Sequence, residues 1–285
     1  MAHLTNKQIF PGLSPEHFQH PLDISASEAL KKVPLLPTFI SWLNSKSLEH
    51  LMRQRNLEST IRLSPRQGGS IYEAFEYACH ILDIENPPEL FIKNQPFFNA
   101  YAMGTKRHSI VLTSSLVDAV NEEELLAVIG HELGHIKCEH MLYKTVSHVL
   151  ALFGMELIRE MIPGVGQAAG MAIGFAMTNW SRKAELSCDR ASLLVAQDVQ
   201  VVSQLTMLLA AGSRKIIPEL NVEEVFRQSE ELEEMENTIL GKLFQLQDLQ
   251  NTHPVPIQRC VEIDKWSKSE QFRHILSGAY AQVSG

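Results

Sequence analysis

The spacing of hydrophobic and polar positions changes several times along the chain, and each change marks an element. Over residues 1–66 Pro, Gly and Ser interrupt the pattern. Two apolar stretches of helical period, about Ser27 to Lys32 and Thr38 to Leu51, lie between Pro34-Leu35-Leu36-Pro37 and Ser64-Pro65. This part reads as a helical extension packed over the remainder, and its residues carry no legible chemistry. Ile71 to Leu82 holds an apolar stripe at the helical period and predicts an amphipathic helix. Three short apolar runs, Leu90-Phe91-Ile92, Ala100-Tyr101-Ala102 and Ser109-Ile110-Val111-Leu112, then predict strands of a small sheet separated by turns.

A stronger helical pattern follows. Asn121 ahead of Glu122, Glu123 and Glu124 reads as an N-cap with an acidic first turn, and Glu124 completes a capping-box variant. Leu125, Leu126, Val128 and Ile129 form the buried stripe. Gly130 and Gly134 each cost about 1 kcal/mol against Ala in a helix, so a neighbour is expected to approach the backbone there. Two apolar helices, about Val146 to Ile158 and Gln167 to Thr178, are expected to form a hairpin over residues 146–178 joined at Pro163-Gly164. Met161 to Trp180 runs 20 residues without a charge, about enough to span a bilayer. Pro163 and four glycines weaken that run, and it reads as a soluble or peripheral hairpin. Gln200 to Ala211, Val222 to Met235 and Ile239 to Leu249 are further helices. The fold class is therefore α+β, mostly helical, with a small sheet beside the Asn121 helix. Residues 1–66 form the extension and 67–285 one large domain.

Composition narrows the function. The net charge of -8 and pI near 5.8 argue against a nucleic-acid partner, which needs clustered Lys and Arg. The eight glutamates from Glu219 to Glu236 read as a solvated helical face. Cys79, Cys138, Cys188 and Cys260 are scattered without a CxxC pair and read as reduced, buried thiols. Met1 to Lys7 lacks the apolar core of a signal peptide. The expected location is cytoplasmic, with membrane contact confined to the periphery through the hairpin.

The candidate chemistry is His131-Glu132-Leu133-Gly134-His135. On a helix, residues four apart are neighbours, so both imidazoles can reach one tetrahedral metal ion while Glu132 stands beside it. A reactive zinc site needs three protein ligands and one open position. Cys138 and Met141 occupy the places where one extended motif has Gly and His, which excludes that arrangement. His140 lies five residues past His135, off their shared face, and reads as a solvent-facing His. Glu185 and Asp189 are four apart on a later helix. One carboxylate could ligate the metal while the other accepts the spare ring N–H of a ligating His.

These residues, with Ser181-Arg182 ahead of Glu185, Thr252-His253-Pro254 and Arg259 six residues after His253, resemble the zinc metallopeptidases that include HtpX and the CAAX prenyl proteases. The resemblance covers about residues 70–265. It implies a zincin-like fold, one Zn2+ per chain held by His131, His135 and Glu185, Asp189 as the hydrogen-bond partner of a ligand, and Glu132 as general base. It also implies that His253 and Arg259 donate to charge formed in the transition state. Cys188 stands where these proteins have a small Ala and reads as a packing residue. By the same resemblance the strand Asn99, Ala100, Tyr101, Ala102 lines the substrate cleft, and a peptide or protein would add to its edge. Two rival readings are a weak or latent zinc-containing peptide-binding module and a membrane-associated protein in which the hairpin carries the function.

Overall fold

The structure is a computed structural model that describes residues 7–34, 36–45, 48–153, 167–236 and 256–280. The N-terminal part forms α1 (Pro15–Phe18), α2 (Pro21–Lys31), α3 (Leu36–Ser45) and α4 (Leu48–Ser59). Helix α2 begins six residues before the apolar stretch that predicts it. The His20 ring caps it by accepting the Leu22 N–H at 3.1 Å, and Pro21 takes the first helical position, where no N–H is needed.

The sheet follows. Strand β1 (Ile61–Arg62) precedes α5 (Gly69–Ile81), then come β2 (Glu89–Lys93), β3 (Ala100–Met103) and β4 (Ser109–Thr113). The strand order is β1-β2-β4-β3. Strands β2 and β4 run parallel, with Phe91 opposite Val111, while β3 is antiparallel to β4, with Tyr101 opposite Val111. Strand β4 is buried along its whole length, as its unbroken Ile110-Val111-Leu112 run requires. Strand β3 is at an edge of the sheet, and the two-residue β1 at the other edge is too short to leave a sequence pattern.

The remaining elements are helical: α6 (Ser114–Ala119), α7 (Glu122–Lys137), α8 (Met141–Phe153), α9 (Gln167–Ala196), α10 (Val199–Ala211), α11 (Val222–Glu236), α12 (Pro256–Ser267) and α13 (Glu270–Leu276). The chain is thus an α+β protein, mostly helical with a small sheet. The expected helix from Ile239 to Leu249 and the expected Pro163-Gly164 junction lie outside the described residues.

The two largest of the four apolar clusters among the described residues hold these parts. In the larger, Leu126, Ile129 and Leu133 of α7 meet Leu194 and Val195 of α9 together with Phe75, Ile110 and Leu112, and Phe10, Leu13 and Phe18 join from the N-terminal part. Truncating any of these fully buried Leu or Ile side chains to Ala costs about 2–5 kcal/mol. In the second, Leu30 and Leu36 pack on Val146 and Val149 of α8 and on Ile173, Met177, Trp180 and Ala184 of α9. The uncharged run before Trp180 therefore turns part of its apolar surface toward α2 and α3. Among the described residues no helix is long and apolar enough to cross a membrane.

Helices α7 and α9 approach closely through small residues. A Cβ built on Gly130 would lie 2.7 Å from Val195 Cβ, and one on Gly134 would lie 2.8 Å from Ala191 Cβ and 3.0 Å from Cys188 Cα. This approach brings the two halves of the candidate site together.

Candidate metal centre

Helix α7 is fixed at its start by a reciprocal cap. Asn121 Oδ1 accepts the Glu124 N–H at 2.9 Å, and the Glu124 carboxylate accepts the Asn121 N–H at 2.9 Å. Its buried stripe then sets the rotation of the helix, which turns His131 and His135 toward α9 with ring centroids 5.2 Å apart.

The Glu185 carboxylate stands between them. Its Oε2 is 3.1 Å from His131 Nε2 and its Oε1 is 3.3 Å from His135 Nε2. Ligands about 2.0–2.1 Å from a tetrahedral zinc sit about 3.3–3.4 Å from one another, so both contacts lie near the spacing of neighbouring zinc ligands. Cys188 is the competing donor, since its Sγ and the two imidazoles converge within 4.8 Å. Burial pushes that thiol well above its ordinary range, and Sγ lies 3.8 Å from His140 Nδ1. The Glu185 carboxylate, which contacts both Nε2 atoms, and Cys188 are thus the two candidate third donors.

Around the donors is a shell of ion pairs. His131 Nδ1 lies 3.1 Å from Asp189 Oδ1. Arg259 Nε donates to Asp189 Oδ2 at 2.8 Å and Nη2 to Oδ1 at 2.5 Å, while Nη1 is 3.3 Å from Glu185 Oε2. All three nitrogens of the guanidinium thus face carboxylates. Burial works against a charge on His131, but Glu185 and Asp189 outweigh it and raise the imidazole to about 9. His135 moves the other way, lowered by burial and by the Lys144 ammonium. Lys144 Nζ lies 3.0 Å from His135 Nε2, the nitrogen that a metal would take, and its flexible stem lets it withdraw. Asp189, although buried, is held below the usual carboxylate range by Arg259 and His131.

Glu132 is buried on the wall of the cleft, and its Oε2 has no hydrogen-bond partner among the described residues. A buried carboxylate oxygen without a protein donor needs another donor, and water or substrate at the cleft can supply it. The cleft has a cavity volume of about 190 Å³. Phe98, Leu116, Val202, Leu205 and Leu209 line it beside His131, Glu132 and Arg259. Of the expected substrate strand, Asn99 and Ala100 line this cleft, whereas Ala102 belongs to the main core and Tyr101 packs beside Phe91, Met103 and Val111. His253 lies outside the described residues.

His140 corrects the sequence expectation. It is 2 % exposed and lies inside the protein, not on its surface. Helix α7 ends at Lys137, and Glu139 takes a left-handed φ of 59°, so the chain turns back before α8 and carries His140 inward. The helical spacing used to place it stops three residues short of His140. Asp23, which accepts from that ring, is 117 positions upstream, and nothing in the sequence connects the two.

Fold and site together define a mostly helical α+β protein in which two histidines of one helix meet a buried carboxylate and a cysteine of another. The family model for Peptidase family M48 matches residues 65–267, and the chain belongs to that family. It is 34% identical over 274 residues to the plastoglobule-localized metallopeptidase 48, chloroplastic, of Arabidopsis thaliana, an alignment covering 95% of this chain and 78% of that one. A protease HtpX homolog of Caldanaerobacter subterraneus is 36% identical over 85 residues, 28% of each chain. The crystal structure of Ste24p from S. mikatae superposes with a TM-score of 0.48 at 16% identity, covering 85% of this chain and 61% of that one. The chain thus spans most of the plant relative but less than two thirds of the other two.

Proposed function

We propose that this chain is a zinc-dependent endopeptidase that binds one zinc through His131, His135 and Glu185. The observation that carries the reading is the convergence of both Nε2 atoms on one carboxylate, with Glu132 on the adjoining cleft wall. When bound, zinc supplies Lewis acidity to the scissile carbonyl and brings a water near neutral pKa.

The protein's own groups do the rest. Glu132 takes the proton of the attacking water on the oxygen that has no partner among the described residues and delivers it to the leaving amine. Arg259 acts through Asp189 and Glu185, neutralising two buried carboxylates and holding them at the histidines. His253 keeps the role the sequence resemblance implies, donating to charge that builds on the carbonyl oxygen. An extended peptide pairs along the free edge of β3 near Asn99 and Ala100, where main-chain hydrogen bonds give weak sequence preference. The apolar wall of the cleft adds a preference for a large apolar side chain next to the cleaved bond.

We read residues 67–285 as the catalytic unit and 1–66 as an extension. The location is cytoplasmic, with contact at a membrane limited to its surface. The apolar faces of α8 and α9 support this, since their partners include α2 and α3. The test is cleavage of β-casein by the purified chain with and without a chelator, beside Glu132→Gln. Cleavage that stops with chelator, returns with zinc and falls by orders of magnitude in Glu132→Gln is expected. Chelator-resistant cleavage, or an active Glu132→Gln, would overturn the proposal.

A further inference from the structure

His135 has a second, longer line of support, and it begins in the N-terminal part. Its Nδ1 lies 3.2 Å from His140 Nδ1, and His140 Nε2 lies 3.0 Å from Asp23 Oδ2. Asp23 is 0 % exposed. Its carboxylate also accepts from Ser187 Oγ at 2.6 Å, Gln19 Nε2 at 2.9 Å and Ser27 Oγ at 3.3 Å. A carboxylate so completely removed from water, and so fully supplied with donors, is held in one position.

We infer that Asp23 is a positioning residue for the metal centre, which sets the tautomer of His140 and through it that of His135. The inference rests on the zinc ligation proposed above. A neutral imidazole that ligates through Nε2 must carry its proton on Nδ1. The acceptor for that proton is His140 Nδ1, which must therefore be bare, so the His140 proton sits on Nε2 and is donated to Asp23. With the opposite tautomer of His140, two N–H groups would meet at 3.2 Å. The ionised carboxylate excludes that arrangement, because it only accepts. His131 receives the equivalent support directly from Asp189, and His135 receives it through one intervening ring. Asp23 lies outside residues 65–267, so the segment matched by the family model does not contain it.

The experiment measures zinc affinity by competition with a chromogenic chelator. It compares wild type, Asp23→Leu, Asp23→Asn and His140→Leu, together with the tautomers read from ¹⁵N-imidazole spectra of the zinc-loaded wild type. Asp23→Leu keeps the branched shape, though with a larger volume, and has no acceptor; a loss of about 10–100-fold in affinity is expected. Asp23→Asn keeps a carbonyl that can accept the Nε2–H and should recover much of it. His140→Leu should lose as much as Asp23→Leu, and the double variant no more than either alone. Ser187→Ala removes another Asp23 hydrogen bond without touching the line to His135, so it should leave affinity near wild type. Spectra should show His140 with its proton on Nε2 and His135 with its proton on Nδ1. Wild-type affinity in both Asp23→Leu and His140→Leu, or a His140 proton on Nδ1, overturns the inference. Should Asp23→Leu fail to fold, His140→Leu and the wild-type spectra still decide it. A wild type that binds no zinc contradicts the proposed function instead.

Discussion

The Arg259 guanidinium grips the Asp189 carboxylate through two parallel hydrogen bonds, at 2.8 and 2.5 Å, although 70 residues separate them and both are buried. Asp189 in turn faces His131, so an arginine on α12 reaches the candidate metal centre through a carboxylate on α9. Removing one partner of a buried pair leaves the other charge uncompensated, at about 3–5 kcal/mol. Arg259→Met is therefore expected to lower stability to denaturant by that order and to reduce bound zinc as well as turnover. Arg259→Lys keeps the charge but loses the fork and should fall between. Urea unfolding with metal analysis checks this, and Arg259→Met with full zinc and wild-type stability would reduce the residue to a bystander.

The close approach of α7 and α9 gives a packing test. Gly130→Ala should gain about 1 kcal/mol of helix propensity, yet its methyl would collide with Val195. Overpacking of this kind costs about 1–3 kcal/mol, so a net loss is expected. Combining it with Val195→Ala should recover part of the loss, and simple additivity of the two changes in urea unfolding would count against the clash.

What the sequence made legible follows the range of the interactions. The Asn121 cap, the amphipathic helix before the sheet, the strands β2 to β4 and the spacing of His131, His135, Glu185 and Asp189 are local patterns, and each is where its period or cap puts it. The two glycines of α7 signalled a close neighbour, which proved to be α9. Three things were not legible. The turn at Glu139 breaks the helical spacing that sent His140 to the surface. The His140–Asp23 contact spans 117 residues and leaves no periodic trace. The two-residue strand β1 at Ile61–Arg62 is too short to leave a pattern.

The cysteines provide a reactivity test. Burial, with Glu76 nearby, pushes the Cys79 thiol up to about 12, and burial likewise raises Cys138, Cys188 and Cys260. At pH 8 only about one Cys79 in ten thousand would be thiolate. Ellman's reagent should therefore leave the folded chain almost unlabelled and react with four thiols after denaturation. Fast labelling of the native chain would contradict the buried placement.

Glu262 gives the pH dependence. His20 faces it at 3.7 Å and Lys265 at 2.9 Å, and together they hold the carboxyl down to about 2 against burial. A lowered folded pKa contributes stability above the unfolded value near 4.3, and that contribution is lost as pH falls toward 2. Because Glu262 is partly exposed, Glu262→Gln should cost only about 0.2–1 kcal/mol at pH 7. The difference from wild type in thermal melts should close between about pH 4 and 2, and a gap that widens on acidification would reverse the assignment.

The central claim is that zinc is held by two imidazoles and the Glu185 carboxylate, with Cys188 outside the coordination sphere. X-ray absorption at the zinc edge on the metal-loaded chain tests it most directly, because sulfur lies farther out than nitrogen or oxygen, at about 2.3 Å against 2.0–2.2 Å. The expected result is one zinc per chain with a shell of light atoms only, two imidazole signatures and no sulfur, and loss of stoichiometric zinc in Glu185→Ala. A sulfur at about 2.3 Å, abolished by Cys188→Ala and untouched by Glu185→Ala, would contradict the account.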